Sequence, residues 1–425
     1  MSKSILMINV HSSCNAGDAA LALVAVEQLR KHFSDCRVRM SMDTPDSHLG
    51  DEKALSSFFT WVKRGSQWNW FSLAWLLPGT LLPAIAYRLL GDPVFVITPK
   101  PWQPLLRAYM DADLVVSKPG GFLYSSGNGL SLLIALHTLW MAVLVGKPLY
   151  IFPQSVGPFS RTWERKLVGM VLARARIIMV REAISLAQLG ACGLSPEKSQ
   201  LLPDLAFDFR GESAETAAAW LREFGVDVHE KSPYLGMTVI NWAVKNTGFG
   251  RQSEYEAACA AAIRHFVDQF GGKVLLFPQV WGPLESQDDR VPARRVAESV
   301  ADLGDAVIAI ESPATPGLLR SAYQFMDLFI GTRMHSNIFA LSAGVPVIGI
   351  GYLPKTQGIT EMLGLGEWTI GIEEVTAEHL VAMLEQLWSN REDVRAHLGK
   401  AIPIVVADAK KAGELIASDF VLVRD

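Results

Sequence analysis

Residues 327–350 read DLFIGTRMHSNIFALSAGVPVIGI. An apolar strand over 327–331 runs into the polar turn Thr332-Arg333. A helix follows over 334–343, and a second apolar strand takes up 345–350. Strand, helix and strand at this spacing form the repeating unit of a parallel, doubly wound sheet.

The same grammar continues outward from this unit. In the second half strands are expected at 235–240, 273–277 and 306–310, with helices at 252–270, 290–303, 315–325 and 377–389. In the first half SILMINV (4–10) reads as a buried strand. The polar loop HSSCNAGD follows it, then a helix from Ala19 to about His32. Further strands are expected at 113–117, 148–153 and 175–180, with helices near 129–145 and 182–189.

The expected fold class is α/β, with two Rossmann-like doubly wound domains facing a cleft. A chain of 425 residues is too long for one ordinary core. The segment 208–233, DFRGESAETAAAWLREFGVDVHEKSP, mixes charge with Gly and Pro and reads as a linker. It would separate an N-terminal domain at 1–207 from a C-terminal domain at 234–388, with a helical tail at 389–425.

Two echoes connect the halves. DLVVSKPGG, a helix and GKPLYIFPQ parallel DLFIGTRMHS, a helix and GVPVIGIGY, and FPQSVGP at 152–158 parallels FPQVWGP at 277–283.

Half the residues are hydrophobic and 19% are charged, which sets extensive disorder aside. The net charge of −4 lacks the basic surplus of a nucleic-acid binder. Cys14, Cys36, Cys192 and Cys259 are scattered, with no zinc or redox spacing, and fit a reducing cytoplasm. Ile5–Val10 is too short an apolar run for a signal peptide. One segment is unusual for a soluble protein: WFSLAWLLPGTLLPAIAY, 70–87, carries no charge over eighteen residues. Pro78, Gly79 and Pro83 are expected to interrupt it. A packed or interfacial insertion is the expectation, with 70–90 as a peripheral contact to a membrane; the duller alternative is a hairpin of helices over the first sheet or a dimer contact.

In open parallel sheets ligands gather at the carboxyl ends of the strands. These ends deliver Asn15, Gly17 and Asp18; Gly120 and Gly121; Gln154; Arg181; Gln279; Arg333 and His335; and Lys355. Arginine suits two-point capture of carboxylate and phosphate, and lysine acts as a mobile charge, so the set fits a small polyanion. Each residue also has a purely structural reading. The arginines fit surface salt bridges, and Asn15 and Asp18 fit a helix cap. Gly120-Gly121 fits a tight turn, and Asp288-Asp289 fits a solvated helix start. Neither GxxxxGK[ST] nor GxSxG occurs, and no GxGxxG follows the first strand. Their absence argues against a P-loop NTPase, an α/β-hydrolase and a standard dinucleotide fold.

Taken together, NAGDAAL (15–21), DLVVSKPGG (113–121), PQSVGPFS (153–160), VREAIS (180–185), PDLAFD (203–208) and the long run GTRMHSNIFALSAGVPVIGIGYLPKTQGITEMLGL (331–365) resemble the polysaccharide pyruvyltransferase family. The apolar stretch 70–90 has no counterpart in it. The resemblance implies a glycosyltransferase-B-like pair of Rossmann-type domains, phosphoenolpyruvate as donor substrate and a saccharide as acceptor, whose carrier (lipid, nucleotide or polymer) is left open. It maps the family's basic residues onto Arg181, Arg333 and His335, with Lys355 as a further lysine, and the early Asn-x-Gly-Asp onto Asn15, Gly17 and Asp18. Ketal formation then needs an acid or base, for which His335 is the candidate and Asp18 the second choice. No metal or other cofactor is called for. The competing expectation is a nucleotide-sugar glycosyltransferase or epimerase of the same fold, gripping a diphosphate at the helix start after Arg333 and a ribose near Glu361.

Overall fold

The computed structural model describes residues 2–64, 67–246, 248–282, 284–352 and 354–422, without the side chains of Arg64, Lys245, Pro354 and Lys355. The chain divides into two compact units. One comprises Met1–Ser13, Leu21–Leu205 and Ala407–Asp425; the other comprises Cys14–Ala20 and Ala206–Val406.

The first unit is built on strands β1 (Lys3–Val10), β2 (Cys36–Met42) and β3 (Lys53–Ser56), followed by the small antiparallel hairpin β4 (Lys63–Arg64) and β5 (Gln67–Trp68). Then come β6 (Leu114–Ser117), β7 (Gly120–Leu123), β8 (Leu149–Val156), β9 (Ile177–Val180) and β10 (Ser199–Leu201). The main sheet runs β10-β9-β8-β6-β1-β2-β3, with β7 beside β8, and its pairings are parallel. Ile5, Leu6, Met7 and Ile8 lie at its centre and are wholly buried, as a strand covered on both faces requires.

The second unit holds β11 (Tyr234–Thr238), β12 (Lys273–Leu276), β13 (Val307–Ala309), β14 (Leu328–Gly331), β15 (Val347–Gly351) and β16 (Thr369–Gly371). Its order is β13-β12-β11-β14-β15-β16, all parallel. Both sheets therefore grow outward from their first strand in the Rossmann manner, and strand order reverses between β1 and β6 and between β11 and β14.

These reversals sort the two sequence echoes. DLVVS and DLFIG form β6 and β14, each the strand laid against the first strand of its sheet, and so occupy equivalent places. The FPQ echo does not: residues 152–154 lie within β8, whereas 277–279 follow β12.

The apolar stretch differs from its expectation. Trp70–Leu90 is one helix of 21 residues, with Pro78 and Pro83 inside it. Proline in a helix leaves the carbonyl four residues earlier without its usual donor. For Pro83 that carbonyl belongs to Gly79, and Thr98 Oγ1 donates to it at 2.9 Å. Asn69 caps the start by accepting from the Ser72 N–H, and Gly91, in the left-handed conformation at φ 80°, ends it. One stripe, Leu76, Thr80, Pro83 and Ala84, is buried. It faces helix Leu130–Leu144, where the buried His137 meets Thr80 Oγ1 at 3.0 Å.

The expected helix at 377–389 extends from Ala377 to Ala409. Residues beyond it pack on the first unit. Gln28 binds the Ala409 carbonyl and the Gly413 N–H, and Asp419 accepts from Tyr150 and from Arg176.

Candidate functional site

The turn after β14 in the second unit is held across the strand reversal. Thr238, the last residue of β11, accepts from the Thr332 N–H at 3.1 Å, and its hydroxyl meets the Ser336 hydroxyl at 2.9 Å. Thr332 in turn meets the buried Tyr255 hydroxyl at 2.7 Å, and Ser336 donates to the Arg333 carbonyl at 2.6 Å. Helix Met334–Ser342 thus starts from a fixed point.

Arg333 and His335 diverge from that point. Arg333 turns inward and grips Asp289 through Nε and Nη2, with Nε at 3.2 and 3.1 Å from the two carboxylate oxygens. Asp289 is 1% exposed and also accepts from the Gln279 and Val280 N–H groups. The reading of Asp288-Asp289 as a solvated helix start is therefore corrected for Asp289. Only Asp288 lies near the surface, bound by Arg290. Burial works against the Arg333 charge, but Asp289 and then Tyr352 outweigh it and hold the guanidinium more firmly protonated than usual.

His335 is half-buried and its ring lies over Gly17. A Cβ on Gly17 would fall 2.1 Å from His335 Nδ1, so no other residue fits there without moving the ring. Gly17 is brought here by main-chain pairing. Asn15 bridges Val280, the Ala16 N–H donates to the Gln279 carbonyl at 3.0 Å, and the Trp281 N–H donates to the Cys14 carbonyl at 3.0 Å. Asn15 Oδ1 caps helix Ala16–His32, accepting from the N–H groups of Gly17 and Asp18. Asp18 sits in the first turn of that helix, half-buried. Gln279 is buried and accepts from Tyr323 at 2.9 Å, while its Nε2 has no partner among the described residues. Asn15, Asp18, Gln279, Arg333 and His335 thus gather in one unit. Lys355 belongs to helix Pro354–Met362, but its side chain lies outside the described residues.

A second cluster forms in the first unit. Arg181, directly after β9, is 2% exposed. It donates from Nε to Ser155 at 2.8 Å and from Nη1 to the fully buried Asp204, and Glu182 lies at 3.4 Å. All three partners belong to the first unit. Gly121 makes room for this guanidinium: a Cβ there would come within 2.9 Å of Nη2. Gly120 pairs with Gln154 in the sheet. Gln154 is wholly buried, and neither of its amide atoms has a partner among the described residues.

The expectation that these arginines form surface salt bridges is met only in part. Both are in ion pairs, but the pairs are buried. Sequence reasoning overlooked their partners, Asp204 and Asp289, as well as Lys118, which is fully buried at the end of β6. A signal for Asp204 existed, since it stands in PDLAFD, one of the segments quoted for the family resemblance. In the first unit 113–121, 153–160, 180–185 and 203–208 converge on Arg181; in the second, 15–21 meets the start of 331–365 at His335.

Comparisons with known proteins bear on the family and the fold. A family model described as polysaccharide pyruvyl transferase matches residues 15–354. The amylovoran biosynthesis protein AmsJ of Erwinia amylovora is 24% identical over 409 residues, which cover 94% of this chain and 95% of that protein. Among solved structures, a UDP-N-acetylglucosamine 2-epimerase has a TM-score of 0.59 at 13% identity, covering 100% of this chain and 97% of that one. The UDP-GlcNAc 2-epimerase of Neisseria meningitidis, bound to UDP-GlcNAc, scores 0.58 at 12% identity, with 99% of each chain covered. HepE of Anabaena, in complex with UDP and glucose, scores 0.56 at 12% identity, again with 99% of each covered. These structural likenesses speak for the two-domain α/β fold with parallel sheets. The family match begins at the helix cap Asn15, stops one residue short of Lys355, and takes in both motif clusters: the chain belongs to the polysaccharide pyruvyl transferase family.

Proposed function

We propose that this chain moves the pyruvyl group of phosphoenolpyruvate onto two hydroxyls of a saccharide, forming a cyclic ketal and releasing phosphate. As a family member it is a pyruvyltransferase-type enzyme. The likeness to a protein named for amylovoran biosynthesis supports a polysaccharide or its precursor as the acceptor.

The observation that carries the assignment of roles is the contact of His335 with Gly17. It brings the one histidine of the motif segments to the capped start of helix Ala16–His32, beside Asp18. In this scheme His335 delivers a proton to C3 of the enol, which makes C2 electrophilic. A sugar hydroxyl adds to C2 and gives up its proton, with Asp18 as the receiving base. Phosphate then leaves by cleavage of its C2–O bond, and the second hydroxyl adds to C2, loses its proton and closes the ring.

The second unit takes the donor in this reading. Arg333, set rigidly by Asp289, and the N–H groups opening helix Met334–Ser342 receive its anionic groups, with Lys355 as a further cation. The first unit takes the acceptor, through Gly120, Gly121 and Gln154. Arg181 holds that loop set in place through Ser155. Support for the acceptor side comes from Gln154: a buried amide without a partner is costly, and a polyhydroxylated ligand supplies both donors and acceptors.

The test is acceptor-dependent phosphate release from phosphoenolpyruvate across a panel of saccharides, beside calorimetric titration with phosphoenolpyruvate and with UDP-sugars. Tight binding of a UDP-sugar with no phosphate release from phosphoenolpyruvate would replace this reading by the nucleotide-sugar one.

A further inference from the structure

We infer that the first unit docks on an anionic lipid bilayer through the outer face of helix Trp70–Leu90 and the apolar cavity beside it. The helix buries one stripe, half-buries its flanks and leaves an outer face exposed. Phe71 is 80% exposed, Leu82 56% and Leu89 77%, an outward row at spacings close to whole helical turns. A cavity of about 480 Å³ opens next to it, lined almost entirely by apolar side chains, among them Leu73, Leu77, Leu133, Trp140, Leu167 and Met170. Leu77, Leu133 and Met170 are also exposed, so the cavity mouth and the helix face form one continuous apolar surface. Trp70 and Trp75 stand at the start of the helix, as aromatic residues do where chain meets headgroup.

Charge decides what covers this surface. Between residues 57 and 176 there are twelve Lys and Arg against four Asp and Glu, in a chain whose net charge is −4. Arg88, Lys100, Arg107, Lys166 and Arg174 are exposed. Lys166 adjoins the cavity residue Leu167, and Arg88 closes the apolar row. An apolar face ringed by cations matches a membrane of negative surface potential. A second copy of the chain would bring the same positive field against itself, which disfavours a symmetric dimer there. A spanning helix is disfavoured too, because Leu76, Thr80 and Ala84 are packed in the unit and Thr80 is bonded to His137.

The experiment is co-sedimentation of the full chain with vesicles of phosphatidylcholine containing about one-third phosphatidylglycerol, and with vesicles of phosphatidylcholine alone. Binding to the anionic vesicles is expected, falling steeply as salt is raised from about 0.1 to 0.5 M. Phe71→Glu and Leu82→Glu, both at exposed positions, are each expected to weaken it about tenfold with the circular dichroism unchanged. Lys166→Glu tests the ring of charge and should weaken binding to anionic vesicles only. Three results would overturn the inference: no vesicle binding by the wild-type chain, equal binding to neutral and anionic vesicles, or retention in the membrane after alkaline carbonate washing, which marks a span. None of these readouts involves pyruvyl transfer, so the inference and the proposed activity stand or fall separately.

Discussion

The imidazole of His335 lies so close over Gly17 that a single added methyl group would meet Nδ1 at 2.1 Å. Gly17 and His335 are 318 residues apart in sequence, and their contact joins the helix start capped by Asn15 to the helix start after Arg333. Gly17→Ala must therefore push the ring aside. Turnover is expected to fall about a hundredfold, within the range for loss of a positioned acid or base, with a stability cost of about 1–3 kcal/mol from overpacking. In a His335→Ala background the same change should add little. A double-mutant cycle on phosphate release checks this, and additive losses would mean that Gly17 acts independently of His335.

His335→Asn keeps a hydrogen-bonding side chain but cannot shuttle a proton at neutral pH. Phosphate release is expected to drop roughly 10²–10⁴-fold while calorimetric affinity for phosphoenolpyruvate changes little. A wild-type rate would remove the acid–base role.

Arg333 and Asp289 are buried together, so removing either leaves the other charge uncompensated. Asp289→Asn and Arg333→Met are each expected to destabilise the chain by about 3–5 kcal/mol in urea unfolding. The paired change Asp289→Leu with Arg333→Met should recover more than half of that loss. Its affinity for phosphoenolpyruvate then reports what the guanidinium does besides holding Asp289. Unchanged affinity in that folded variant would confine Arg333 to a structural role.

Gln154 points the other way. Replacing it by Met removes two unpartnered amide atoms from a wholly buried position. The thermal midpoint is expected to rise, by the equivalent of about 1–3 kcal/mol, while kcat/KM for the saccharide falls. A variant both more stable and fully active would show that Gln154 has no part in binding.

His137 sets an acid limit on the first unit. Burial pushes its pKa down from 6.5 to about 4. Between those values the unfolded chain takes up a proton that the native chain refuses. The contribution to stability is therefore complete above pH 6.5, declines as the pH falls, and is gone below about 4. The loss amounts to up to roughly 3 kcal/mol. His137→Phe should flatten the stability profile across this window, as followed by urea midpoints at stepped pH.

Periodicity made the sheets legible. Apolar runs such as LMINV and DLFI mark central strands, and the alternation with helices predicts their parallel pairing. Helix Gln252–Phe270 lies where its periodicity puts it. Strand β2 and the edge strands β3, β10 and β16 carry shorter or more mixed runs, CRVRMSM among them, and are not announced by the sequence pattern. Helix Trp70–Leu90 was misjudged because Pro78 and Pro83 are local breakers, while the donor that offsets Pro83 is Thr98, on another segment. That the candidate residues follow strands was legible. Their pairings were not, since nothing local to Arg181 or Arg333 announces Asp204 or Asp289 as its counter-charge.

The path of the chain has a consequence for its biogenesis. The first unit recruits Gln28, Tyr150 and Arg176 to residues 409–419, so these hydrogen bonds must wait until that segment has left the ribosome. The strands of its sheet are all made by Leu201, so the sheet can pair before the segment that packs on it exists. Residues 14–20 likewise pair with a segment synthesised some 260 positions later. A fragment lacking helix Lys411–Leu422 would carry an open seam, exposing Phe33 where Phe420 should cover it, and marking it for chaperones and proteases.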